Sequence, residues 1–88
     1  MAMAYEIKFL PSLQKTINKL DPYLKQRMNQ KLEALALNPR IGDKLKGISD
    51  TTYRIKVGKY RVLYQIRDKE LIVLVINFGH RKEIYRDL

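Results

Sequence analysis

Gly58-Lys59 separates two stretches that both alternate apolar and polar residues. Before it, Tyr53, Ile55 and Val57 alternate with Arg54 and Lys56. After it, Tyr60, Val62, Tyr64 and Ile66 alternate with Arg61, Leu63, Gln65 and Arg67. Period-2 alternation on either side of a two-residue loop that begins with glycine predicts a β-hairpin with a type II′ turn. Such a turn dictates the register: Val57 opposite Tyr60, Lys56 opposite Arg61, Ile55 opposite Val62, Arg54 opposite Leu63. Lys56 and Arg61 then project from one face with Cβ atoms about 5 Å apart, and Arg54 follows two residues along. Opposed like charges cost roughly 0.2–1 kcal/mol relative to a neutral pair. A sheet selected for stability alone avoids them, unless both side chains splay into water; a sheet that binds an anion wants them.

The rest of the chain supplies what such a hairpin needs to bury its apolar face. Ala4-Tyr5-Glu6-Ile7-Lys8-Phe9-Leu10 alternates as a half-buried strand, ended by Pro11, with Ser12 placed to cap the next element. Leu13, Ile17 and Leu20 lie at helical spacing, with Lys15 and Lys19 outside. Asp21-Pro22 reads as a cap and a first helical residue, opening a second helix over 22–37. Leu24, Met28, Leu32 and Leu35 form its buried stripe, and Lys25, Arg27, Lys31 and Glu33 lie on or near the other face. Asn38-Pro39-Arg40 ends it. Residues 41–51 form a polar connection with Gly42 and Gly47, in which Lys44-Leu45-Lys46 is either a solvated loop or an electrostatic arm. Residues 71–78 are nearly all apolar, as in a central strand covered on both faces. Asp68-Lys69 turns into that strand and Gly79 ends it. The expected order is strand, helix, helix, strand, strand, strand: an α+β domain with a mostly antiparallel sheet and a two-helix hairpin on one face.

Composition narrows the function. Eighty-eight residues make one domain, with room for one small core. Eighteen Lys and Arg against nine Asp and Glu give a formal charge of +9. Self-repulsion on that scale is relieved by a polyanionic partner: nucleic acid, an anionic membrane surface or an acidic protein. The absence of cysteine excludes disulfides, thiolate chemistry and a cysteine zinc site. One His and scattered carboxylates give no metal site, and no cofactor is expected. No secretory signal is visible, and the longest apolar run is far below the ~20 residues of a membrane span. A cytoplasmic protein without membrane contact is expected.

The tail adds chemistry to the hairpin. Gly79-His80-Arg81-Lys82 follows the last strand, with Tyr85 close behind. Arginine presents a planar fork that fits phosphate oxygens. Tyrosine can stack on a base or exchange a proton. His80 is the side chain whose ordinary titration range lies nearest neutrality.

Tyr53-Arg54-Ile55-Lys56-Val57-Gly58-Lys59-Tyr60-Arg61, together with Gly79-His80-Arg81-Lys82-Glu83-Ile84-Tyr85, resembles the RelE/ParE superfamily of toxins from toxin–antitoxin pairs. Asn38-Pro39-Arg40 and Lys44-Leu45-Lys46-Gly47 also fit the family pattern, so the likeness covers nearly the whole chain. The resemblance implies a compact RelE-like domain over residues 1–88. It implies a metal-independent endoribonuclease that cuts messenger RNA in the ribosomal A site. It also implies an acidic, RelB-like antitoxin as partner, beside the ribosome and message. The catalytic set falls on Lys56, Arg61, Arg81 and Tyr85, with His80 as an alternative proton donor. Further RNA contacts fall on Arg54, Lys44, Lys46 and Lys82. The position of Arg54 is lysine in the best-known member of the family, and that of His80 is often lysine, so the donor stays open. A ParE-like inhibitor of DNA gyrase without RNase activity is the alternative within the same superfamily.

Overall fold

The computed structural model describes residues 4–45, 47 and 51–84. Its elements run β1 (Glu6–Phe9), α1 (Pro11–Asn18), α2 (Pro22–Leu37), a 3-10 turn (Pro39–Ile41), β2 (Asp43–Lys44), β3 (Thr52–Val57), β4 (Tyr60–Arg67), a second 3-10 turn (Asp68–Glu70) and β5 (Ile72–His80). The five strands form one sheet in the order β1-β5-β4-β3-β2. Every pairing is antiparallel except β1 with β5, where Glu6 to Phe9 run parallel beside Ile72 to Val75.

Local chemistry accounts for the helices. Pro11 opens α1 from the first turn, where its missing N–H costs nothing. Leu10 occupies the cap position without a side-chain bond, so the cap expected at Ser12 is not used. Asp21 does cap α2, accepting from the Tyr23 N–H at 3.4 Å, and Pro22 is its first residue. Met28, Leu32 and Leu35 are buried as the stripe requires. They join Ile17 and a row from the sheet: Ile55, Val57, Val62, Tyr64, Ile66, Val73, Val75 and Phe78. The helix hairpin therefore covers one face, and the core lies between it and the sheet. No described helix is long and apolar enough to cross a membrane.

Four expectations about strands are corrected. The 41–51 connection contains β2, whose Asp43 and Lys44 pair with Arg54 and Tyr53; two residues are too few to show a period, and the edge of β3 recruits them. Leu71 is not in the last strand but takes a left-handed conformation (φ 55°, ψ 47°) that turns the chain into β5. That strand then continues past Gly79 to His80, bonded to β4 throughout. Nor is β5 covered on both faces. It lies between β1 and β4, and Val73, Val75 and Phe78 are buried against the helices, whereas Ile72, Leu74 and Ile76 are only partly covered.

Candidate nucleic-acid interface

The β3–β4 turn forms as its glycine demands. Gly58 has φ +59° while Lys59 keeps an ordinary negative φ, the type II′ pattern. The register is the one the alternation implied, with Lys56 opposite Arg61 and Arg54 opposite Leu63. Tyr53, Ile55 and Val57 point to the helices, so Arg54, Lys56 and Arg61 lie on the opposite, open face. Leu63 is fully buried on that face between them and the rest of the sheet.

The Arg61 guanidinium folds back over the turn. Its Nη1 donates to the Gly58 carbonyl at 3.0 Å and the Tyr60 carbonyl at 2.8 Å. Arg54 reaches across to β2, where its Nη2 lies 3.4 Å from Asp43 Oδ2. Among the described residues no carboxylate lies within ion-pair distance of Lys56, Arg61 or Arg81. Arg81 arrives from β5 and ties its backbone to the same turn, its N–H donating to the Lys59 carbonyl at 2.9 Å. Lys56, Lys59, Arg61 and Arg81 thus converge on one corner. The tail then curls back, with the N–H groups of Glu83 and Ile84 both donating to the His80 carbonyl at 2.9 Å. Ile84 is buried against Gly79.

His80 sits elsewhere. Tyr64 pairs with Val75 but Leu63 pairs with Asn77, so Ile76 is an extra residue in β5. One extra residue reverses the facing of everything after it. Phe78 thereby turns inward to stack on Tyr60, centroids 5.2 Å apart. His80 turns with it, pairs with Tyr60 and meets that ring edge-on at 5.9 Å. Its Nδ1 accepts from the Lys82 N–H at 3.2 Å, which fixes the turn. The imidazole is therefore on the helix side, away from Arg61. Lys44 pairs with Tyr53 and is likewise on the helix side. Lys82 is exposed in the turn after β5. Lys46 and Tyr85 lie outside the described residues.

Other participants had no clear signal in the sequence. Asp43 read as part of a loop. Arg27 read as a solvent-facing residue of α2, yet its Nη1 lies 3.8 Å from where a side chain on Gly58 would begin; its spacing of four from Tyr23 is the one local hint. Gly42 is required by close approach, because a Cβ there would strike the Tyr64 hydroxyl and the Arg54 carbonyl. That hydroxyl donates to the buried Pro39 carbonyl at 2.7 Å, and burial pushes its pKa up to about 12.

At the other end of the sheet, Asp68 accepts from both Arg40 nitrogens (3.2 and 2.6 Å) and from the Tyr5 hydroxyl (2.6 Å). Bonding to Arg40 and Tyr5 holds the Asp68 carboxyl below its usual range, and bonding to Asp68 raises the Tyr5 phenol and the Arg40 guanidinium. Among the described residues no three His, Asp or Glu cluster as a metal site would need.

The structure is thus a small α+β domain: a sheet with a cationic open face, backed by a helix hairpin. A family model described as the ParE toxin of the type II toxin–antitoxin system, parDE, matches residues 7–85, and the chain belongs to that family. A RelE-like toxin protein of Escherichia coli is 37% identical over 83 residues, 91% of this chain and 86% of that protein. The mRNA interferase toxin RelE of E. coli K12 is 34% identical over 90 residues, 97% of this chain and 94% of the relative. The crystal structure of the isolated E. coli RelE toxin, P21 form, superposes with a TM-score of 0.80 at 34% identity, covering 96% of this chain and 94% of that one. RelE in the intact E. coli RelBE toxin–antitoxin complex gives 0.79 at 34% identity, covering 88% and 96%.

Proposed function

We propose that this chain is a ribosome-dependent endoribonuclease that cuts messenger RNA in the A site, and that an acidic antitoxin neutralises it. The observation that carries the reading is the opposed Lys56–Arg61 pair on the open face. It places two cations side by side with no acidic partner among the described residues, a geometry suited to phosphate. Relatives named mRNA interferase, and solved toxin–antitoxin complexes of the same fold, support the activity and the partner.

The chemistry asks for three things. The RNA 2′-hydroxyl must lose a proton as it attacks its own phosphate, the phosphorane's charge must be stabilised, and the leaving 5′-oxygen must be protonated. Arg61 and Arg81 act on the charge, and Tyr85 takes the first proton. Arginine hardly deprotonates, so it does not supply the last one. His80 faces Tyr60 and spends its Nδ1 on the turn. Lys56, on Arg61's face, is therefore assigned the donor role. The products are a 2′,3′-cyclic phosphate and a 5′-hydroxyl. In the deciding experiment, the purified protein is added to ribosomes stalled with a chosen A-site codon. Wild type cuts there; Arg61→Ala with Arg81→Ala does not. Normal cutting by the double variant sinks the assignment.

The ParE description of the matching family favours a second reading, binding to DNA gyrase. Loss of supercoiling with message left intact would establish it instead.

A further inference from the structure

Arg27 carries the cationic corner around to the helix side. Its Nη1 approaches Gly58 from α2, while the Arg61 guanidinium holds the Gly58 carbonyl from the sheet and the Arg81 backbone N–H holds the Lys59 carbonyl from the tail. One turn is thus ringed by Arg27, Lys59, Arg61 and Arg81. Beside Arg27, Tyr23 is 66% exposed, with the Arg27 guanidinium carbon 5.9 Å from its ring centroid. An aromatic face with cations around it is the arrangement that stacks a base while its phosphates are neutralised. Asp21 is the nearby acid, and its carboxylate accepts from the Tyr23 backbone N–H.

We propose that Tyr23, Arg27 and Lys59 form a second RNA-contact surface, continuous with the open-face site around the turn. A single RNA strand leaving Lys56 and Arg61 passes over Gly58-Lys59, lays its phosphates on Arg27 and Lys59, and stacks one base on Tyr23. The inference rests on the RNA reading above, but concerns holding rather than cutting.

The test uses fluorescence anisotropy of the full chain with a labelled single-stranded RNA carrying 2′-O-methyl groups, which cannot be cut. Arg27→Gln with Lys59→Gln weakens binding about tenfold and flattens the dependence of log K on log salt by about 1.4, the value for two lost phosphate contacts to a single strand. Tyr23→Ala weakens binding about tenfold and Tyr23→Phe restores it. Lys15→Gln with Lys19→Gln removes the same charge from α1 and changes binding little. Melting curves establish that each variant is folded. Wild-type binding by the Arg27/Lys59 double, or an equal loss in the Lys15/Lys19 double, overturns the proposal. So does a loss seen only toward an acidic antitoxin peptide, which would make the surface a protein site. RNA binding by wild type without cleavage on the ribosome sinks the endoribonuclease reading and leaves this one standing.

Discussion

The two ends of β4 handle arginine in opposite ways. At Asp68, Arg40 meets a carboxylate with both nitrogens, a tyrosine hydroxyl completes the cluster, and Arg67 has Glu70 at 4.0 Å. At Gly58-Lys59, Arg61 has only backbone carbonyls, Arg81 is exposed, and no acid joins them among the described residues. One end is closed by its own counter-charges and ties the chain after α2 to the sheet. The other leaves its counter-charge to be supplied by a partner. Residue type is the same at both ends; the presence of a carboxylate separates a clamp from a site.

The largest effect expected from this contrast is on activity. Replacing Arg61 and Arg81 by alanine should lower message cleavage by about 100-fold or more and leave the melting temperature nearly unchanged, as read in ribosome cleavage and calorimetry. A comparable fall in stability would mean that this corner is structural after all. Gly42→Ala, between the two ends, should destabilise by about 1–3 kcal/mol, because the new methyl meets the Tyr64 hydroxyl and the Arg54 carbonyl. Urea denaturation reads the first effect, and a weaker hold on RNA should report the displaced Arg54. Lys56→Thr should do the reverse of a normal mutation. It relieves the opposed charges and raises stability by roughly 0.2–1 kcal/mol while abolishing cleavage. A neutral or negative stability change would show that the two side chains already avoid each other.

The smallest effect is at the clamp and depends on pH. Asp68 titrates below its ordinary value of 3.8 in the folded chain. Its contribution is therefore full above that ordinary value and fades as pH falls through the lower folded one. The Tyr5 phenol is raised above 10.0, so its share is present below that pH and is lost as pH rises through the folded value. Melting curves of Asp68→Asn should lose less than wild type on the acid side, with cleavage unchanged at neutral pH. Parallel acid limbs for the two proteins would remove the carboxylate from the account.

What could be read from the sequence was local. A glycine-led turn between two alternating stretches fixes every pair from Arg54–Leu63 to Val57–Tyr60, and Asp21-Pro22 marks the start of α2. The parts that escaped depend on distant partners. Asp43 and Lys44 become a strand because β3 has an edge to offer. Asp68 shows only a turn residue until Arg40 and Tyr5 are beside it. His80 shows best why facing was illegible. An apolar run such as 72–76 has no alternation to betray an inserted residue, and Ile76 changes which side the histidine takes. Counting by twos straight through Ile76 puts His80 with Arg61.

The parallel pairing of β1 with β5 has a consequence in time. Residues 6–9 find their sheet partner only in residues 72–75, and β5 then lies between β1 and β4. Such long-range pairing is the slow part of folding. During synthesis, the first strand waits for the last described one, and the corner that Arg81 completes waits with it. Until residues 72–81 have been made, a chain proposed to attack translation thus has no finished weapon.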